Sequence, residues 1–309
     1  MTASSQSTER FAYTVASLDD LEPTIAALLR AQIKDEPIRK IVIAPRQQRL
    51  GRHTGWRRWL AGLLPWQLTP SWVLVLTSER LLVAEIAKPG DTPILHSIPT
   101  ARLLTIELGV LLLVGWLTCS WVGHGRVETT QICFNTVSDA YFWEILRALC
   151  RDSIQQSEAP VAPSERHLER LDSLPFMYRN LIPYRQLFKD ECVKAVIYQP
   201  AIWERKFLLF RRRLSPTTVV LLSNYHLMLT SDEKVSGNPA THGVIVRYYP
   251  LSRVIALKTE KTTKGIQLEI QVGIGDVSET QIVFLEREMQ DDVHELIHQI
   301  GRTGKSETS

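Results

Sequence analysis

Cysteine is scarce in this chain: four occur in 309 residues, at positions 119, 133, 150 and 192, and no two have the close spacing of a metal site or a disulfide framework. A reducing, cytoplasmic setting is the matching expectation. The first thirty residues hold no positively charged start followed by a short apolar stretch, so no export signal is read there. An excess of one charge is also missing, since 36 basic residues face 33 acidic ones for a net charge of +3. With no RNA-binding signature present, that balance disfavours nucleic acid as the partner. The glycines at 123, 125, 273 and 275 have no following Lys-Ser or Lys-Thr, so they read as hairpin turns and not as phosphate cradles. No serine or cysteine lies in a nucleophile elbow. No catalytic residue, metal ligand set or cofactor is therefore assigned, and the chain is expected to be non-enzymatic. What is present is 44% hydrophobic and 22% charged residues, the mixture of a globular protein with a true core, at a length that suggests about two domains.

The chain repeats itself. Lys34-Asp35-Glu36 with an apolar run to Pro45 recurs as Lys189-Asp190-Glu191 with a run to Pro200. Leu68-Thr69-Pro70 returns as Leu214-Ser215-Pro216, and Pro99 with Arg102 returns as Pro250 with Arg253. Thr130-Gln131-Ile132-Cys133-Phe134 returns as Thr280-Gln281-Ile282-Val283-Phe284, at an offset of 150. The offset drifts only between apolar segments, where loops belong. We read a first unit over 17–152, a polar linker over 153–171, and a second unit over 172–303.

Within the second unit, Ile266, Leu268, Ile270 and Val272 alternate with Gln267, Glu269 and Gln271, the period of a strand with one buried face. Similar runs near 193–200, 217–222, 226–230, 243–249, 253–259 and 278–285 bring the strands to seven. Val293, Leu296, Ile297 and Ile300 then follow helical spacing, as do Phe142, Ile145, Leu146 and Leu149 at the end of the first unit. A helix is expected before each unit, at about 17–33 and 174–188. Seven strands, one closing helix and a longest loop between the first two strands resemble the pleckstrin-homology-like (PH-like) fold, here as a tandem pair of bacterial type. The resemblance implies a mainly β, α+β architecture in which each antiparallel sheet curls into a half-open barrel plugged by the C-terminal helix. It also implies that the loop between strands one and two supplies contacts to phosphoinositides or membranes.

That loop is where positive charge concentrates. In the first unit it carries Arg46, Arg49, Arg52, Arg57 and Arg58 with Trp56 and Trp59, and in the second Arg205, Lys206, Arg211, Arg212 and Arg213. With these ten set aside, the remaining 26 basic residues are outnumbered by 32 acids, Glu204 being the acid set aside with them. Arginine beside aromatic rings suits anionic headgroups and an interfacial location, so the expected partner is an anionic membrane surface or phosphate-bearing ligand, with peripheral attachment at the inner face of the membrane. A protein scaffold or oligomerisation module is the alternative.

Two segments stand apart. His294-Glu295-Leu296-Ile297-His298 satisfies H-E-x-x-H, the zinc-hydrolase helix motif. The repeat aligns it with Trp143 to Arg147 of an ordinary core helix, and Glu307 is the sole downstream third ligand, so zinc chemistry is a remote alternative. Leu108 to Gly125 carries no charge and borders on the hydropathy of a membrane span, yet its counterpart in the second unit alternates as a hairpin. A strand hairpin over 108–117 is the reading, with Leu111, Leu112, Leu113 and Trp116 as an association surface expected to meet protein, either the second unit, a partner or a second copy, with a bilayer as the next alternative.

Overall fold

The computed structural model describes residues 11–47, 69–152, 165–182, 191–206, 210–234 and 242–303. The first half runs β1 (Tyr13–Val15), α1 (Pro23–Ile33), β2 (Ile38–Ala44), β3 (Ser71–Thr77), β4 (Arg80–Ile86), β5 (Ile94–Pro99), β6 (Leu103–Leu111), β7 (Val114–Gly123), β8 (Arg126–Asn135) and α2 (Asp139–Asp152). Two short helices follow, α3 (Glu165–Asp172) and α4 (Phe176–Leu181). The second half runs β9 (Val193–Gln199), β10 (Ile202–Lys206), β11 (Phe210–Ser215), β12 (Thr218–Ser223), β13 (His226–Lys234), β14 (His242–Pro250), β15 (Val254–Thr262), β16 (Gly265–Ile274), β17 (Val277–Leu285) and α5 (Gln290–Thr303). The protein is mainly β, and among the described residues every strand pairing is antiparallel and no sheet closes on itself.

Strands β1 to β5 form one sheet in chain order. Two of its inner strands, Ser71–Thr77 and Arg80–Ile86, are apolar nearly throughout because both faces are covered. Val73, Val75, Leu82 and Ala84 pack against Ile25, Ala26 and Leu29 of α1. The alternate residues Leu74, Leu76, Leu81 and Val83 share a core with Phe142, Ile145, Leu146 and Leu149 of α2. The same core continues through Trp143 and Cys150 to Leu171, Leu174, Tyr178, Val246 and Tyr248, so it crosses from one half of the chain into the other.

The backbone crosses as well. The largest sheet has the order β8-β7-β6-β14-β13-β12-β9, with its seam where β6 pairs β14 from Leu111↔Gly243 to Ile106↔Tyr248. At that seam Glu107 accepts the indole N–H of Trp116 at 2.7 Å and an Arg247 N–H at 2.5 Å. The strands β15-β16-β17 form a separate sheet over a second core containing Val293 and Leu296 of α5.

Seven strands and the closing helix of one half correspond in order to seven strands and a closing helix of the other. The strands β2–β8 with α2 match β9, β12–β17 and α5, and β10–β11 is an insertion at the first connection. A register break falls between Leu103 and Thr105 in one half and between Val254 and Ala256 in the other. Thr77 donates to Glu36 at 2.6 Å with Arg80 on the same carboxylate, while Ser223 donates to Glu191 with His226 Nδ1 3.0 Å away. One expected match is displaced. Phe134 lies opposite Gly115, and the corresponding pair is Leu285 opposite Ile266, so Phe284 is one residue out of step with Phe134. A one-residue slip turns a strand residue to the other face. Phe134 is fully buried and Phe284 is exposed.

Other boundaries also shift. The first helix starts at Pro23, after Ser17 caps a separate single turn over Leu18–Asp20. The helix expected over 174–188 is Phe176–Leu181, with 183–188 outside the described residues. Part of the stretch read as linker, Glu165–Asp172, is helical.

Candidate functional site

Arg205, Lys206, Arg211, Arg212 and Arg213 lie on the β10–β11 hairpin, which leaves the main sheet between β9 and β12. Its register places Arg205 opposite Arg211, Glu204 opposite Arg212 and Trp203 opposite Arg213. Directly opposed like charges oppose strand pairing, so the arginines are not what holds the hairpin together. Anchors at its base do that. Arg213 pairs with Asp232 of β13, Glu204 pairs with Lys264 at 2.6 Å, and Ser215 Oγ donates to the Phe284 carbonyl at 3.3 Å. Trp203, at the foot of the hairpin, is exposed. The two ion pairs engage Arg213 and Glu204, while the side chains of Arg205, Lys206, Arg211 and Arg212 lie outside the described residues.

In the first half, Arg46 donates to the Ala87 carbonyl, and its loop has a closed neck. Thr69 N–H donates to the Gln47 carbonyl at 2.8 Å, and Gln47 N–H donates to Thr69 Oγ1 at 2.9 Å. Arg49, Arg52, Trp56, Arg57, Arg58 and Trp59 lie outside the described residues.

The charge-free segment from Leu108 to Gly125 is strand, turn and strand. Its four named residues divide. Trp116 is buried over Gly109, where a Cβ would sit 2.0 Å from the indole, so it is a packing residue. Leu111 is half-buried beside Gly243. Leu112 and Leu113 form the turn, each 63% exposed, and Val137 is exposed to 64%. Register fixes which end of the sheet this is. Leu111 faces Gly243, Gly243 faces Glu233, Ser231 faces Thr218, and Thr218 faces Gln199. The Leu112–Leu113 turn and the β10–β11 hairpin therefore leave the sheet at the same end, with β6 about 15 Å from β12 at three strand spacings.

Other arrangements have less chemistry to offer. His294 and His298 are both exposed on α5, while Val293 and Leu296 form its buried face. Among the described residues no group of three metal-ligating side chains comes together. No helix among them is long and apolar enough to cross a membrane. A cleft beside β2 is lined by Arg30, Arg39 and Lys40, but each is paired with a carboxylate, from Asp19, Asp152 and Glu144 respectively. Burial pushes the Cys119 thiol up to about 12, and burial foremost, with Glu191 nearby, pushes Cys150 up, so neither is a ready nucleophile.

Reading residues by spacing missed the buried cluster of Glu191, Ser223 and His226. Its signal was the recurring Lys-Asp-Glu, whose last residue is the carboxylate in both halves. Ser223 Oγ gives its proton to Glu191 and accepts from the backbone of Tyr225 and His226 at 3.1 and 3.0 Å. With the hydroxyl facing a carboxylate and the Glu191 and His226 side chains fully buried, the cluster clips the β12–β13 turn in place and has no route to a substrate.

Neither a protein-family model nor a curated protein matches the chain.

Proposed function

We propose that the chain is a non-enzymatic binding module of two tandem PH-like units that attaches peripherally to an anionic membrane surface. The carrying observation is the β10–β11 hairpin, which sets Arg205 against Arg211 in a pairing that favours neither strand. Such a hairpin gains when an external polyanion neutralises it. The PH-like assignment draws support from the seven corresponding strands and closing helix of each half, with the basic segments in the connection between the first two of those strands. Four cationic residues by sequence, at about 1 kcal/mol each on an anionic surface, would give about 4 kcal/mol, a millimolar contact by charge alone. The inner leaflet and the cytoplasm supply the matching compartment.

Flotation with phosphatidylserine-containing and pure phosphatidylcholine vesicles tests this. The wild-type chain should float with the former at low salt and separate from them at high salt. Arg211→Glu with Arg212→Glu removes two attractions and adds two repulsions, about 4 kcal/mol in total, and should abolish flotation. Binding that survives both high salt and the double reversal refutes the proposal and leaves a protein-only scaffold as the better reading.

A further inference from the structure

The Leu112–Leu113 turn combines two properties that folding does not explain. Both side chains are 63% exposed, so neither gains from the core. Leu112 also has φ 51°, the left-handed region where leucine is disfavoured and where glycine or asparagine fits without penalty. The turn is nonetheless held firmly. Thr136 Oγ1 donates to the Leu112 carbonyl at 2.5 Å, and Thr136 N–H donates to the Leu113 carbonyl at 3.1 Å, which places exposed Val137 at the foot of the same tip. Two leucines are thus displayed on a fixed turn, Leu112 in the disfavoured left-handed conformation, with no charge anywhere from Leu108 to Gly125. Backbone outliers of this kind persist where another demand on the site outweighs their cost.

The corresponding turn in the second half, Thr263-Lys264, is polar, so the geometry of a β-hairpin at this point does not itself call for leucine. What distinguishes the first turn is its place. It lies at the sheet end that also carries the β10–β11 hairpin with its basic sequence.

We infer that Leu112 and Leu113 are an apolar wedge that enters the interfacial region of an anionic bilayer while the β10–β11 hairpin meets its headgroups. This rests on the membrane reading above and adds a second, salt-insensitive contact to it. Apolar side chains gain from leaving water regardless of ionic strength, whereas the hairpin's contribution is screened. The two contacts therefore separate experimentally.

The test is vesicle flotation and sedimentation velocity on the full chain carrying Leu112→Asn and Leu113→Asn. We expect affinity for phosphatidylserine-containing vesicles to fall at least tenfold, the salt dependence to keep its slope, and the thermal midpoint to hold or rise, because asparagine tolerates the left-handed position. The retained or raised midpoint shows that the variant is folded. Wild-type affinity in the double variant overturns the wedge while leaving the hairpin reading intact. A loss of binding in the Arg211→Glu, Arg212→Glu chain, together with a silent leucine pair, overturns the wedge and assigns the whole contact to charge. A wild-type dimer in solution, without vesicles, that the asparagine pair dissociates overturns the wedge in favour of a second copy of the chain as the occupant.

Discussion

Replacing Phe134 by alanine and replacing Phe284 by alanine should have sharply unequal effects, although the two residues end the same Thr-Gln-Ile-x-Phe string. Phe134 is fully buried and stacks on Phe142 with ring centroids 3.6 Å apart and planes 7° from parallel. Truncating it empties a core position between β8 and α2, at a cost of about 3–5 kcal/mol from lost transfer energy and the remaining cavity. Phe284 lies one register step away and is 42% exposed. Truncation there forfeits a partial burial, at about 1 kcal/mol, and opens no enclosed cavity. Urea unfolding followed by tryptophan fluorescence reads both. At a slope of about 2 kcal/mol per molar, the first variant should lose about 2 M in midpoint and the second about 0.5 M. Equal losses refute the reasoning, since they mean that β17 presents Phe284 to the core and that string identity, not strand pairing, sets the correspondence of the halves.

Two further outcomes follow from buried polar groups. Glu191→Gln should cost about 2 kcal/mol in the same unfolding assay, because an amide in place of the carboxyl disrupts the hydrogen bonds that Ser223 and His226 make to it in a fully buried cluster. An unchanged midpoint would show that the cluster does not clip the β12–β13 turn. The Cys119 thiol, raised from 9.0 to about 12 by burial, favours the protonated fold, so its contribution is fully present below pH 9 and declines as pH climbs towards 12. At pH 8, half-buried Cys133 and Cys192 should react with a disulfide reagent while Cys119 and Cys150 wait for unfolding, and four equally fast thiols would contradict this.

Strand positions were legible wherever one face is wet. In β16 the alternation of Ile266, Leu268, Ile270 and Val272 with polar residues maps onto buried and half-buried positions in turn. Likewise α5 buries Val293 and Leu296 as their spacing implies. Periodicity failed where an element's environment departs from that pattern. The β10–β11 hairpin has three consecutive arginines and no apolar alternation to announce a strand. The Glu191 cluster joins residues 32 and 35 positions apart through a turn, a relation that spacing along the chain does not encode. The Phe134–Phe284 match misled because identity in a strand is informative only to the nearest residue, and a single step reverses inside and outside. Of the candidate site, residue types were readable. The shared sheet end was not, because it depends on a pairing between halves.

That pairing also accounts for the oily character of the first hairpin. The edge of β6 from Ile106 to Leu111 reads Ile-Glu-Leu-Gly-Val-Leu, whereas the equivalent stretch of β15, Leu257 to Thr262, reads Leu-Lys-Thr-Glu-Lys-Thr. Strand β6 is flanked on both sides, by β7 and β14, and Leu108 and Val246 meet across the seam with almost no exposure. Strand β15 has only β16 beside it among the described strands, and Lys258, Glu260 and Lys261 occupy it. Charge on an open edge guards against unwanted strand addition, and apolar residues on a covered edge have no such duty. Two strands of one pattern thus diverged according to what lies beside them. The divergence explains Leu108 to Leu111 by the seam, but the seam ends at Leu111. The two leucines beyond it, exposed and one of them left-handed, are not explained by the seam, and it is on them that the proposed wedge rests.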